Sequence, residues 1–121
     1  MFDISINNIV TLSRGDSFEC PLFLNAGTDT CPLPYQLGDG EYIYFFLLRP
    51  NQCFENATLR KRYDNTSPKD DDGNILISFE PKDTINLCPG TYYYEIKAYL
   101  KEENGSGLVN TVVEKTKFII L

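Results

Sequence analysis

The stretch from Gly73 to Leu100 constrains the fold more than any other part of the chain. Gly73-Asn74-Ile75-Leu76-Ile77-Ser78-Phe79-Glu80 reads as a strand of alternating character. Pro81 to Gly90 then supplies a polar segment that ends in the Pro89-Gly90 turn. Tyr92-Tyr93-Tyr94-Glu95-Ile96-Lys97-Ala98-Tyr99-Leu100 is a long strand after it. A strand, a short crossing and a strand that opens on tyrosine form the corner of a two-sheet sandwich. A tyrosine placed there can bond its hydroxyl back to the turn it has just left.

Around this corner the remaining segments read as short strands with turn signals between them. Ile4, Ile6, Ile9, Val10 and Leu12 suggest one or two opening strands, and Arg14-Gly15-Asp16 is a turn. Ser17 to Leu24 places Phe18, Cys20, Leu22 and Leu24 on one face, with Pro21 marking an edge or bulge. Residues 25 to 40 are a long loop. Glu41 to Leu48 is the most apolar run, and 57 to 63 alternates more weakly around Arg60-Lys61-Arg62. Residues 65 to 73 form a polar loop, 102 to 107 a hairpin loop, and Leu108 to Val113 and Lys115 to Leu121 close the chain. No convincing helix is visible, and 82 to 87 offers one turn at most. The expectation is an all-β, immunoglobulin-like β-sandwich of about seven to nine strands. It occupies 1–121 as one domain, a size that buries a core without staples.

Composition narrows the function. With 17 acidic and 11 basic residues the net charge is −6. A phosphate backbone or an anionic membrane would be repelled, so neither nucleic acid nor membrane is an expected partner. No segment reaches the roughly 20 apolar residues of a membrane span. The opening Met1-Phe2-Asp3-Ile4-Ser5 lacks the basic-then-apolar pattern of a secretory leader, which suggests folding in a cytoplasm. In that reducing setting Cys20, Cys31, Cys53 and Cys88 are expected to be free thiols.

Catalytic constellations are missing. The chain has 0 His, which removes the commonest general base and the commonest zinc ligand. There is no Cys-x-x-Cys, no nucleophile elbow and no phosphate-cradling glycine loop. We therefore expect no enzyme, no cofactor and no metal. Asp70-Asp71-Asp72-Gly73-Asn74 departs from the EF-hand pattern and reads as a turn. Arg14-Gly15-Asp16 matches an integrin tripeptide but precedes a strand, where glycine supplies a turn. The Asn56, Asn65 and Asn104 sequons matter only in a eukaryotic secretory path.

The strongest binding signal is a strand apolar on both sides. In 41 to 48, Ile43, Phe45 and Leu47 form one face, and Tyr42, Tyr44, Phe46 and Leu48 the other. A half-solvated sheet should alternate apolar with polar residues. Tyr93 and Tyr99 point outward from the neighbouring strand. Tyr42, Tyr44, Phe46, Tyr93 and Tyr99 are thus expected to form an outer aromatic patch, serving either as a protein interface or as a surface covered by a loop of the chain itself. Replacing Tyr44 or Phe46 by serine is expected to spare folding and weaken assembly.

These pieces, in order, resemble the immunoglobulin-like N-terminal module of phage baseplate upper proteins and related small virion domains. The resemblance rests on Arg14-Gly15-Asp16-Ser17-Phe18, Leu37-Gly38-Asp39-Gly40-Glu41-Tyr42-Ile43-Tyr44-Phe45, Asp72 to Ile77, Asp83 to Tyr94, and Val112 to Ile120. It covers almost the whole chain. It implies a structural, non-catalytic interaction module of a bacteriophage particle, at the baseplate or tail or as a head-attached capsid decoration. Such a module would dock onto other virion proteins in many copies, through a sheet face and loops. Its place would be the virion, assembled in the bacterial cytoplasm. The alternative is a carbohydrate- or receptor-binding module whose tyrosines stack on a host-surface glycan.

Overall fold

The computed structural model describes residues 3–4, 9–22, 24–25, 35–101 and 107–121. The described chain is mostly β, in the order β1 (Asp3–Ile4), β2 (Val10–Leu12), β3 (Phe18–Leu22), β4 (Leu24–Asn25), β5 (Tyr42–Leu48), a 3-10 turn (Phe54–Asn56), β6 (Leu59–Asp64), β7 (Ile75–Phe79), α1 (Pro81–Thr84), β8 (Gly90–Lys101) and β9 (Gly107–Ile120). A five-stranded mixed sheet runs β2-β9-β8-β5-β6, with β2 parallel to β9 and the other neighbours antiparallel. β3 and β7 form an antiparallel pair, as do β1 and β4. The expected all-β class is what the chain adopts.

Period-2 burial explains the layering. Tyr92, Tyr94, Ile96, Ala98 and Leu100 of β8 are buried, and so are Ile43, Phe45 and Leu47 of β5 and Ile75, Ile77 and Phe79 of β7. Phe79 is the keystone. Its ring meets Phe45 edge-on at 5.3 Å and stacks on Phe118 at 5.3 Å, so a residue of β7 plugs an aromatic floor supplied by β5 and β9. Tyr94 stacks on Phe45 at 5.6 Å and completes that floor.

Four polar ties hold the layers in register. Tyr92 donates its hydroxyl to the Cys88 carbonyl at 2.7 Å, the back-bond expected at the corner. Lys61 on β6 reaches the Asp83 carboxylate at 2.9 Å and the Ser78 carbonyl at 2.6 Å, so it joins the outermost strand of one sheet to β7 and α1. Burial alone would raise the Asp83 pKa. The Lys61 ammonium and the Glu80 N–H outweigh it and hold the carboxyl below its ordinary range. Buried Glu41 accepts from the Tyr35 hydroxyl at 2.6 Å, the Gly38 N–H at 2.7 Å and the Lys101 N–H at 2.9 Å. Burial again opposes the charge, and those donors again win, so Glu41 also titrates low. Burial and the bond to Glu41 push Tyr35 up to about 12. Finally, the Gly15 N–H donates to the buried Thr84 hydroxyl at 2.9 Å, with Gly15 at φ 83°, where a side chain would be strained.

Several local expectations need correction. The single turn expected at 82–87 is the short helix α1 followed by a turn, with Pro81 leading and a Glu80/Asp83 capping box. The two closing strands are one, Gly107–Ile120, which keeps pairing with β8 through register shifts near Tyr94 and Ile96. The strand expected over 17–24 is two pieces, β3 and β4. Cys20, Cys53 and Cys88 are free, and Cys20 is half-buried with its thiol pushed up by burial. Cys31, most of the 25–40 loop and the 102–106 hairpin tip lie outside the described residues.

Candidate interaction face

Strand register places the outward side chains of the five-stranded sheet in rows. Tyr42 lies between Tyr99 and Asp64, and Val109 continues that row beyond Tyr99. Tyr44 lies between Lys97 and Arg62, and Phe46 between Glu95 and Arg60. Leu48 sits beside Tyr93, which sits beside Lys117. Hydrophobic side chains alternate inward along β5 as expected, yet the outward ones stay apolar as well.

Their rings form a ladder. Tyr42 stacks on Tyr99 at 4.9 Å and meets Tyr44 edge-on at 5.6 Å. Tyr44 stacks on Phe46 at 5.6 Å and meets Tyr99 edge-on at 5.7 Å. Guanidinium groups from β6 cap it. Arg62 lies 4.7 Å from the centre of the Tyr42 ring, and Arg60 lies 5.7 Å from both Tyr44 and Phe46. Such cation–π contacts contribute about 0.5–1 kcal/mol each at exposed sites. Burial raises the Tyr99 pKa, and the neighbouring Tyr42 and Tyr44 phenols add to the rise. Arg62 also bridges Asp64 at 2.9 Å. The Asp64 carboxyl titrates low, chiefly because the Thr66 hydroxyl and N–H donate to it.

The five residues singled out from sequence do not behave alike. Tyr42, Tyr44 and Tyr99 are half-exposed members of the ladder. Phe46 shares the ladder but is only 2% exposed, so it is not surface. Glu55, from the 3-10 turn after β5, lies beside it in one depression, and the segment around that turn is held by its own hydrogen bonds. Thr58 N–H donates to the Leu47 carbonyl at 2.8 Å, Gln52 accepts from Arg49 N–H and the Thr58 hydroxyl at 2.9 Å each, and Lys115 clamps the Gln52 carbonyl at 3.0 Å. That burial runs against the expectation that Phe46→Ser would spare folding. Tyr93 is half-exposed but stands apart, beyond Glu95, and makes no ring contact with the ladder among the described residues.

Sequence reasoning missed Arg60 and Arg62 as part of this face. Their i, i+2 spacing in an alternating strand put both on one side, a signal available from the start. It also missed Val109, 56% exposed beside Tyr99. A 210 Å3 depression opens here, lined by Tyr44, Phe46, Glu55, Arg60 and Tyr99.

The other motifs resolve as turns. The Asp70 carboxylate accepts from Asp72 N–H at 3.0 Å and Asn74 N–H at 2.8 Å, and no cluster of three or more metal-ligating side chains exists among the described residues. Arg14-Gly15-Asp16 is closed by Asp16 N–H on the Ser13 carbonyl at 3.0 Å. Compared with protein-family models, curated proteins and solved structures, the chain matches none.

Proposed function

We propose that this chain is an immunoglobulin-like β-sandwich that works as a non-catalytic docking module of a phage particle, binding other virion proteins through the outer face of its five-stranded sheet. The fold part of the proposal draws on strand order. In its support, β9, β8, β5 and β6 run in the order that a G-F-C-C′ sheet would have, β3 and β7 pair as a B and an E strand would, and Tyr92 bonds back to Cys88 as a tyrosine corner would. The phage setting draws on the ordered resemblance described above.

One observation carries the docking role: a ladder of tyrosines and arginines fills a sheet face where water-facing polar residues would otherwise stand. Tyrosine and arginine are the residues that dominate binding hot spots. The ladder is packed against itself, so it meets a partner with little further ordering cost. The glycan alternative draws less support. Several of the rings on which a sugar would stack are engaged by each other and by Arg60 and Arg62, which leaves the depression beside Tyr44 and Tyr99 as the place a sugar would enter.

The test pairs Tyr42→Ala with Tyr99→Ala and measures incorporation of the tagged chain into particles by quantitative mass spectrometry of purified virions. A loss of at least about tenfold with an unchanged fold supports the proposal. Full incorporation of the double variant, or absence of the wild-type chain from particles, sinks it.

A further inference from the structure

Main-chain hydrogen bonds fix which way each residue of β6 turns its N–H and C=O. In an antiparallel pair, residues that exchange bonds with the neighbouring strand alternate with residues whose groups point the other way. Before β6, Thr58 N–H donates to the Leu47 carbonyl at 2.8 Å, so Leu47 turns its carbonyl toward β6. At the far end, Asp64 N–H donates to the Ser67 hydroxyl at 2.9 Å and the Asp64 carbonyl accepts from Ser67 N–H at 3.1 Å. Asp64 therefore turns away from Tyr42 opposite it. The register between these ends runs without a shift, from Leu47 opposite Leu59 to Tyr42 opposite Asp64. Both ends give the same phase. Leu59, Lys61 and Tyr63 bond to β5, and Arg60 and Arg62 turn their N–H and C=O outward, off the end of the five-stranded sheet. Among the described residues no hydrogen bond reaches those outward groups.

The edges of the smaller β3–β7 pair are treated differently. On β7, Ser78 N–H donates to the Tyr63 hydroxyl at 3.3 Å, and its carbonyl accepts from Lys61 at 2.6 Å. Leu76 N–H donates to the Pro68 carbonyl at 3.1 Å. Side chains of β6 and the loop before β7 thus close that edge. On β3 the residue opposite Leu76 is Pro21, which has no N–H to offer. β6 lends inward side chains to close a neighbour's edge and leaves its own main chain open. A row of unpaired donors and acceptors is a template for another strand.

We infer that an extended segment of a different chain adds beside β6 as a sixth strand of the sheet. This rests on the docking role proposed above and names the form of the partner. The outward groups of Arg60 and Arg62 stand two residues, roughly 7 Å, apart along the strand, a spacing that an extended backbone matches. In such pairing the main chain supplies the affinity and alternate side chains supply the specificity. A second copy paired antiparallel through the same edge fits poorly. Asp64 is taken up by its turn with Ser67, so two copies engage all their outward groups only with Arg60 of each opposite Arg62 of the other. Like charges directly opposite are destabilising. A partner strand without lysine or arginine at those two positions avoids the repulsion.

The test places proline where only an outward N–H is lost. Arg62→Pro deletes a donor that the fold does not use and sets a ring against the incoming strand, whereas Arg62→Ala removes the same side chain and keeps the N–H. Both should keep a cooperative thermal transition. By quantitative mass spectrometry of purified virions, Arg62→Pro should be incorporated about tenfold less than Arg62→Ala, or lower still. Hydrogen exchange on the wild-type chain needs no variant. The Arg60 and Arg62 amides should exchange fast in the free chain, with Lys61 and Tyr63 protected, and should slow by about tenfold or more in assembled particles. Equal incorporation of the two variants overturns the added strand and leaves docking through the ladder standing. Slow exchange at Arg60 and Arg62 in the free chain overturns it too, because the edge would already be covered. Absence of the wild-type chain from particles overturns the docking proposal and this inference with it.

Discussion

Strand β5 carries two aromatic systems one residue out of step, and they have opposite fates. Inward, Phe45 joins Tyr94, Phe118 and Phe79 in a cluster sealed between sheets. Outward, Tyr42, Tyr44 and Phe46 join Tyr99 under guanidinium groups that face water. Ring chemistry is nearly the same on both sides. What differs is the lid: an opposing strand in one case, a pair of arginine side chains in the other. Aromatic content alone therefore says little about whether a sheet face is core or interface.

The largest effect that would sharpen this contrast is Phe79→Ala. It empties the keystone and should cost about 3–5 kcal/mol in urea unfolding, much of a typical domain's stability. A loss under about 1 kcal/mol would mean the two layers are not locked through this ring.

Next come Phe46→Ser and Tyr44→Ser, neighbours on the outward side. Phe46 is only 2% exposed, and its loss should cost about 3 kcal/mol. Tyr44 is half-exposed, and its loss should cost about 1 kcal/mol while weakening docking. Equal costs would break the distinction between the covered and open halves of the ladder.

Acid provides a third probe, directed at the ties that hold the inner system closed. Glu41 and Asp83 both titrate below the ordinary carboxylate range when folded. Their charged forms are the stabilised ones. The contribution is complete above the unfolded pKa of about 4 and is lost as pH falls through the lowered folded values. The thermal midpoint should be nearly level above about pH 5 and should fall below about pH 4. Glu41→Gln should lower the neutral-pH midpoint, by about 1–2 kcal/mol in stability, and flatten the acid limb. An unchanged acid limb in Glu41→Gln would mean the Tyr35, Gly38 and Lys101 donors do not depend on its charge.

The smallest effect is Tyr92→Phe, which deletes only the corner hydrogen bond to Cys88. About 1 kcal/mol should be lost, with docking unaffected. A loss of docking in this variant would show that the corner shapes the outer face as well as the core.

How legible these features were depended on their range in sequence. The corner was readable because Pro89, Gly90 and Tyr92 lie within a few residues of the carbonyl that Tyr92 meets. The two-sidedness of β5 was readable because alternation is a local property. Phe46 was misjudged because its burial is set by neighbours distant in sequence, among them Arg60 of β6 and Glu55, which shares a depression with it. Thr84 and Lys61 gave no sequence signal at all. Each matters only through a partner brought close by folding: Gly15 for one, Ser78 and Asp83 for the other.

From sequence alone followed the β class, the corner, and the presence of tyrosines and a phenylalanine on the outward side of the most apolar strand. These are matters of period and turn chemistry, set by neighbours along the chain. Tertiary structure decided which of those rings water can reach and which cations stack upon them. Both depend on strands that pair across long separations, such as β5 with β8, and no local pattern encodes the distance between them.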